Sequence, residues 1–288
     1  MTLYHGVFYF VSYWLIKQLL LLLTPNIYLA LVGRLIIFMI KYSSIIIFIR
    51  GLVMIIRNKI FTLIFRIVLF TVCGFGIVNH IAANPYNNFE TMLWFYTTQS
   101  NILCFILSGV VLYMTTRSFK KDNAEHSKYY YLIKSSITLA IIVTSLIYHF
   151  LLSPSILFDI NSPHMLYDIA NLIVHYFTPI MIFLDWLLFD PHGKIKLYYP
   201  LVWTVIPLIY ASIAFVRAHF GEPIFKSRSG NLYSYPYFFL DIDTIGLNRV
   251  CLWIGVLLVI FIIIGYILLG VDLMINRYLE NRSARVKF

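Results

Sequence analysis

Six long apolar segments constrain this chain more than any other feature of its sequence. Each runs for roughly 18 or more residues with few charges, which is the length a helix needs to cross about 30 Å of hydrocarbon. Segments of this length and composition are typical of membrane-spanning helices. We therefore predict an all-α integral membrane protein with a six-helix transmembrane core, whose spans are residues 60–82, 91–114, 130–152, 165–189, 199–220 and 247–275.

The composition excludes the main soluble classes of protein. The chain has 288 residues, of which 61% are hydrophobic and only 12% are charged, which leaves too little polar surface for a soluble domain of that size. The formal net charge of +10 does not indicate a nucleic-acid partner, because Lys and Arg cluster in short loops and tails. The cysteines, Cys73, Cys104 and Cys251, lie on separate segments without disulfide or metal spacing. We expect neither a cofactor nor a resident metal ion.

Charge differs sharply between alternate loops and predicts the topology. The loops at residues 83–90 and 153–164 contain no Lys or Arg, whereas basic residues precede the first span and follow the second, fourth and sixth. Basic loops stay in the cytoplasm, so both ends of the core are predicted to be cytoplasmic. Residues 57–276 then form the membrane domain and residues 277–288 a basic cytoplasmic tail. The basic residues that flank the first span on this side are predicted to include Arg66.

The apolar extension before the core, residues 1–56, allows two interpretations. Residues 8–23 and 27–49 can form a helical hairpin that begins and ends in the cytoplasm. Alternatively, the natural protein begins at Met54, where the sequence reads like the start of a short cytoplasmic tail. The six-span core is the same in both interpretations.

Polar side chains inside two of the spans indicate where a site would lie. Thr97 and Asn101 share one helix face at a spacing of four residues, and so do Asn171 and His175. Asp168 lies one turn above Asn171. Polar groups are costly in lipid, so they mark a packed helix interface or a functional site. In the predicted topology both sets fall in the outer half of the membrane, with Thr97 about two turns inside its helix, and they predict a polar cavity open to the outer side.

Thr97 and His175 have the chemistry of a nucleophile and its base. A threonine hydroxyl is a weak nucleophile that needs a base within hydrogen-bond reach, and a neutral imidazole can accept its proton. The structural alternative is that Thr97 merely bonds a backbone carbonyl or joins two helices. Asp185, nearer the cytoplasmic end of the fourth span, is expected to pair with a neighbouring helix.

Attack on an ester would need further polar groups around this pair. The base needs a partner that fixes its tautomer, and the developing oxyanion needs hydrogen-bond donors. We predict Asp168 or Asn171 for the first role, and Asn101, Gln99 and Tyr176 for the second.

Two other functions fit the same cavity. Three histidines and a water could form a catalytic zinc site for a membrane lipid hydrolase, and the candidate ligands are His80, His149, His175 and His219. A transporter or a lipid-binding protein could use the cavity without any chemistry.

Two motifs resemble a known family of small multi-span proteins. They are the residues from Phe95 to Asn101, which read FYTTQSN, and those from His175 to Pro179, which read HYFTP. The family is typified by the androgen-induced gene 1 protein and the androgen-dependent TFPI-regulating protein, and the likeness is closer to its six-span bacterial relatives. It covers about residues 59–276. The resemblance implies an intramembrane Thr and His as the catalytic pair, at Thr97 and His175, and hydrolysis of fatty acid esters of hydroxy fatty acids. It also implies membrane lipids as partners, a lipid ester as substrate and a bacterial plasma membrane as the location.

Overall fold

The computed structural model describes residues 58–83, 89–119, 127–152, 165–226 and 232–286. Its helices are α1 (Lys59–Ala82), α2 (Phe89–Leu93), α3 (Tyr96–Ser118), α4 (Lys128–Ile147), α5 (Met165–Leu172), α6 (Thr178–Phe189), α7 (Tyr199–Trp203), α8 (Val205–Phe220), α9 (Ile242–Ile245) and α10 (Leu247–Val286). The strands are β1 (Phe225–Lys226) and β2 (Leu232–Tyr233). The predicted N-terminal extension, residues 1–56, lies outside the described residues.

Six helical segments of the described chain are long and apolar enough to cross a membrane, which confirms the predicted all-α membrane bundle. They are Lys59–Ala82, Tyr96–Ser118, Tyr129–Leu152, Leu166–Phe189, Tyr199–Phe220 and Leu247–Asn281. The last helix, α10, continues to Val286, so residues 277–286 of the predicted tail are helical.

Side-chain caps begin two of the spans. Asn58 Oδ1 accepts hydrogen bonds from the backbone N–H groups of Ile60, at 2.9 Å, and Phe61, at 3.3 Å. Ser127 Oγ accepts from the N–H of Tyr129 at 3.1 Å. The first N–H groups of a helix have no partner within the helix, so these caps fix where α1 and α4 begin.

Four interruptions divide the predicted spans. The third span ends in a π-helical turn, Tyr148–Leu152, and a second π-helical turn, Ile173–Phe177, joins α5 to α6. The second span is broken between α2 and α3, and the fifth between α7 and α8 at Thr204. A π-helical turn shifts the helix face by an extra residue and is frequent at functional sites.

The loop after α8, which the charge pattern predicts on the outer side and which is called the outer loop below, folds back onto the bundle. It contains an antiparallel pair of short strands, with Phe225 opposite Tyr233, and then a 3-10 turn at Phe238–Leu240. Tyr237 and Phe239 are buried in an apolar cluster with Tyr210 of α8. The loop therefore closes one end of the bundle with aromatic side chains.

A network of four buried charges joins the helices near the predicted cytoplasmic face. Arg66 Nε donates to Asp185 Oδ1 at 2.7 Å. Lys134 Nζ donates to Asp185 and to Asp190, each at 2.6 Å. Arg66 also reaches Thr115 Oγ1 on α3 at 2.6 Å. The expected interhelical role of Asp185 is confirmed, but the assignment of Arg66 to the basic flank of the first span is wrong, because its side chain is buried inside the bundle.

The network is balanced in charge, which makes burial tolerable. Its two cations and two carboxylates each have a hydrogen-bonded partner of opposite sign. Burial raises the pKa of Asp190, just beyond the end of α6, and Lys134 offsets only part of that effect. Removing one partner of such a pair leaves an uncompensated buried charge, which typically costs about 3–5 kcal/mol.

We expect Asp185→Asn to lower the stability of the detergent-solubilised protein by about 3–5 kcal/mol, because Arg66 and Lys134 would lose their shared carboxylate. The matched control is Asp243→Asn, the same change at an exposed position, which should leave the melting temperature unchanged. Thermal unfolding monitored by intrinsic fluorescence compares the two. Equal melting temperatures for both variants would show that the network does not hold the helices together.

Candidate functional site

A cavity of about 280 Å³ lies between the helices beneath the outer loop. It brings together residues that are distant in sequence, from α1, α3, both π-helical turns and the loop after β2. Its polar lining side chains include His80, Thr97, Tyr148, Asn171, His175 and Tyr237. Three of the predicted site residues, Thr97, His175 and Asn171, therefore share one cavity.

Thr97 occupies the first turn of α3. The helix begins at Tyr96, so the prediction that Thr97 lies two turns inside its helix is wrong; the predicted span is broken at Trp94 and Phe95. The backbone N–H of Thr97 has no partner within the helix and donates to the Tyr237 hydroxyl at 3.4 Å. Thr97 is thus a buried residue at a helix N-terminus, where the helix dipole favours negative charge.

His175 lies in the π-helical turn Ile173–Phe177 and is 4% exposed. Its ring stacks on that of Tyr148, with 3.4 Å between the ring centroids and 10° between the planes. Its Nδ1 is buried and has no hydrogen-bond partner among the described residues. Stacking therefore fixes the plane of the imidazole beside the cavity.

A second buried histidine faces the same cavity. His80, near the end of α1, lies 6.2 Å from His175 between ring centroids and stacks on Tyr167 at 5.2 Å. Gly76, one turn earlier on the same face, lets α1 approach the π-helical turn, because a Cβ at this position would collide with Ile173. The sequence placed His80 at a helix end but did not predict its contact with His175.

Asn171 supports the stacked tyrosine rather than the imidazole of His175. Its Nδ2 donates to the Tyr148 hydroxyl. Since that oxygen is the acceptor in this bond, the Tyr148 hydroxyl proton is free to be donated elsewhere. The predicted role of Asn171 as a direct partner of His175 is therefore replaced by an indirect one through Tyr148.

The other predicted supporting residues do not line the cavity. Asn101 Nδ2 donates to the carbonyls of Thr97, at 2.8 Å, and Val174, at 3.0 Å. Gln99 Nε2 donates to the carbonyl of Leu93 at 3.1 Å. Both side-chain amides donate hydrogen bonds to backbone carbonyls at places where helices break or approach one another. Asn101 and Gln99 therefore have a structural role in this arrangement and not the predicted oxyanion role.

Tyr176 and Asp168 also lie away from the cavity lining. The Tyr176 hydroxyl is hydrogen-bonded to Nδ1 of His149 at 3.1 Å, because the π-helical turn points successive residues to different sides. Asp168 is half-buried on α5 and is not among the cavity-lining residues. Neither side chain is placed for the predicted oxyanion or tautomer-fixing role.

Tyr237 takes the position that the sequence assigned to those donors. Its hydroxyl accepts from the Thr97 N–H and is also hydrogen-bonded to the Thr97 side chain, so it lies beside the predicted nucleophile. Burial raises the pKa of Tyr237, and hydrogen bonds from Thr97 and Tyr96 only partly oppose this, so the hydroxyl remains protonated at neutral pH. The only sequence signal for this residue is the aromatic run in the outer loop, which does not reveal its contact with α3.

The four histidines of the zinc hypothesis do not line one cavity. His149 is paired with Tyr176, and His219 is exposed near the end of α8. His80 and His175 alone share the cavity. Within the described residues, no group of three or more His, Cys, Asp or Glu side chains could hold a metal ion.

Comparisons with known proteins identify no relative of this chain. The chain matches no protein-family model, no curated protein and no solved structure. The resemblance noted from the motifs around Thr97 and His175 stays a prediction.

We expect the purified protein to hold no stoichiometric zinc after dialysis against a strong chelator, because two histidines are too few for a structural or catalytic zinc site. Metal analysis by mass spectrometry measures this directly. The variant His80→Ala is the comparison. Zinc retained by the parent protein and lost from His80→Ala would contradict the expectation and restore the metal mechanism.

Proposed function

We propose that this protein is an intramembrane hydrolase of lipid esters, with Thr97 as the nucleophile and His175 as its general base. One observation carries the proposal: the two residues line the same cavity although they come from different membrane-spanning helices. A hydroxyl and an imidazole are the two groups that acyl transfer by an activated nucleophile uses, and Nδ1 of this imidazole has no hydrogen-bond partner among the described residues.

The reaction follows from these groups. Thr97 Oγ attacks the ester carbonyl carbon while its proton passes to His175. The tetrahedral intermediate then expels the alcohol, which takes that proton from His175, and leaves an acyl group on Thr97. A water molecule attacks the acyl-threonine with His175 again accepting the proton, which returns to Thr97 Oγ as the fatty acid leaves.

Tyrosine hydroxyls provide the oxyanion donors in this proposal. Tyr237 and Tyr148 both use their oxygen to accept a hydrogen bond, from the Thr97 N–H and from Asn171 respectively. Each therefore has one proton to donate into the cavity that it lines. Donors that are fixed before the reaction stabilise a developing negative charge strongly where water is excluded. The N-terminus of α3 adds a favourable dipole at the same place.

Membrane lipids are the source of substrate in this proposal, because the site lies among the membrane-spanning helices. The likeness of the Thr97 and His175 motifs to six-span bacterial proteins supports the bacterial plasma membrane as the location. It also supports fatty acid esters as the substrate class.

The first test replaces the nucleophile. Thr97→Ala should lower ester hydrolysis by a factor on the order of 10³ or more, since loss of a nucleophile removes the whole acyl-transfer route. It should also abolish covalent labelling by a fluorophosphonate probe. Thr98→Ala is the matched control: Thr98 is the adjacent buried threonine, does not line the cavity and should keep parent activity. Full activity in Thr97→Ala would remove Thr97 from the chemistry.

The second test concerns the oxyanion donor. Tyr237→Phe should lower kcat by about 10²–10³-fold, the usual effect of removing one such donor. Tyr235→Phe, in the same loop, should keep parent activity. Because burial raises the pKa of Tyr237, its ionisation should reduce activity only above the ordinary tyrosine value of about 10. Unchanged kcat in Tyr237→Phe would assign oxyanion stabilisation to other groups.

A further inference from the structure

A second cavity adjoins the polar one and differs from it in chemistry. It has a volume of about 80 Å³ and lies between α4, α8, α10 and the outer loop. No charged residue lines it, and its walls are largely aliphatic and aromatic. Side chains that form these walls include Ile147, Leu208, Ala211, Ile254, Leu257 and Phe261.

The two cavities meet at the proposed nucleophile. Thr97, Leu152 and Tyr237 line both of them. Thr97 therefore stands on the boundary between a polar compartment that contains two histidines and an apolar compartment that contains none. An ester carbonyl held at Thr97 would have one substituent on each side of this boundary.

The apolar cavity is placed to open sideways into lipid. Of the sixteen residues of α8, Tyr210 and Ala214 are the ones that the bundle buries. Leu208, in the cavity wall, is 40% exposed, and Ile254 and Leu257 of α10 are only half-buried. In a bilayer these partly exposed residues contact hydrocarbon, so a chain could enter between α8 and α10 without crossing water.

We infer that the apolar cavity holds the part of one hydrocarbon chain nearest the ester, with the ester carbonyl at Thr97, the polar remainder in the cavity of His80 and His175, and the rest of the chain in lipid between α8 and α10. This assignment rests on the proposed function and specifies the orientation of its substrate. A chain gains little on leaving lipid for an equally apolar wall. The cavity therefore selects by shape, and filling it should hinder long chains sterically.

The experiment uses the full-length protein in detergent and an ester of a fatty acid that carries a photoreactive diazirine within the first few carbons of its chain. After irradiation, peptide mapping should find adducts within residues 205–220 and 247–261, in the walls of the apolar cavity. Ala211→Trp, which fills the cavity, should lose these adducts. Ser212→Trp, at the exposed neighbouring position, should keep them.

Hydrolysis of nitrophenyl esters gives a second readout on the same variants. Ala211→Trp should lower kcat/KM for the palmitoyl ester by about tenfold or more, the scale of steric discrimination in an apolar pocket, and leave the acetyl ester unchanged. Ser212→Trp should resemble the parent protein on both esters. An equal loss on both esters in Ala211→Trp would overturn the chain assignment.

The two proposals fail in different ways. Adducts within the cavity walls in a protein that hydrolyses no ester would support the chain site and overturn the hydrolase. Hydrolysis that depends on Thr97, with adducts confined to other helices, would overturn the chain site and leave the hydrolase standing. Because labelling of the parent protein needs no substitution, misfolding of a variant cannot account for where the adducts lie.

Discussion

Buried charge is the constraint on which the rest of the bundle depends. Arg66, Lys134, Asp185 and Asp190 are too costly to bury singly, and their short contacts fix α1, α4 and α6 against one another. The polar cavity lies towards their opposite ends, at His80 of α1 and at the π-helical turns that adjoin α4 and α6. Along α1, His80 lies 14 residues beyond Arg66, or about 21 Å at the helical rise. The network thus holds the scaffold rigid at one face of the membrane, and the polar cavity forms near the other.

Local breaks in helical geometry then place the reactive groups within that scaffold. Asn171 and His175 both line the polar cavity, and the π-helical turn Ile173–Phe177 begins between them. The π-helical turn directs the His175 side chain into the cavity and the Tyr176 side chain towards His149. Gly76 allows α1 to close against this turn, and the break before Tyr96 exposes the Thr97 N–H to Tyr237. The site is therefore built where regular backbone bonding is interrupted and side chains complete it.

The length and apolar composition of the segments were enough to predict the spans, because hydrocarbon imposes the same length and composition on every crossing. The helix-face arguments also predicted that Thr97 and His175 line one cavity, as they do. They did not predict Lys134, whose burial depends on carboxylates contributed by another helix, nor Tyr237, which reaches Thr97 from an outer loop. The same arguments assigned Asn101 and Gln99 to the oxyanion, whereas both side chains bond backbone carbonyls. An amide in a membrane helix bonds a carbonyl that a helix break leaves unpaired. The positions of these breaks depend on tertiary packing and cannot be derived from helix faces.

The division between the polar and apolar cavities gives the proposed chemistry a physical basis. Hydrolysis of an acyl-threonine needs water, and a polar cavity of about 280 Å³ has room for several water molecules held by histidine and tyrosine groups. The apolar cavity, by contrast, is lined mainly by aliphatic and aromatic side chains and offers water fewer polar partners, so one side of the ester is held in a drier environment. Thr97 lies where these environments meet. A nucleophile at that boundary can reach a carbonyl whose chain remains in hydrocarbon, while the low dielectric on the dry side strengthens the bond from Tyr237 to the developing oxyanion.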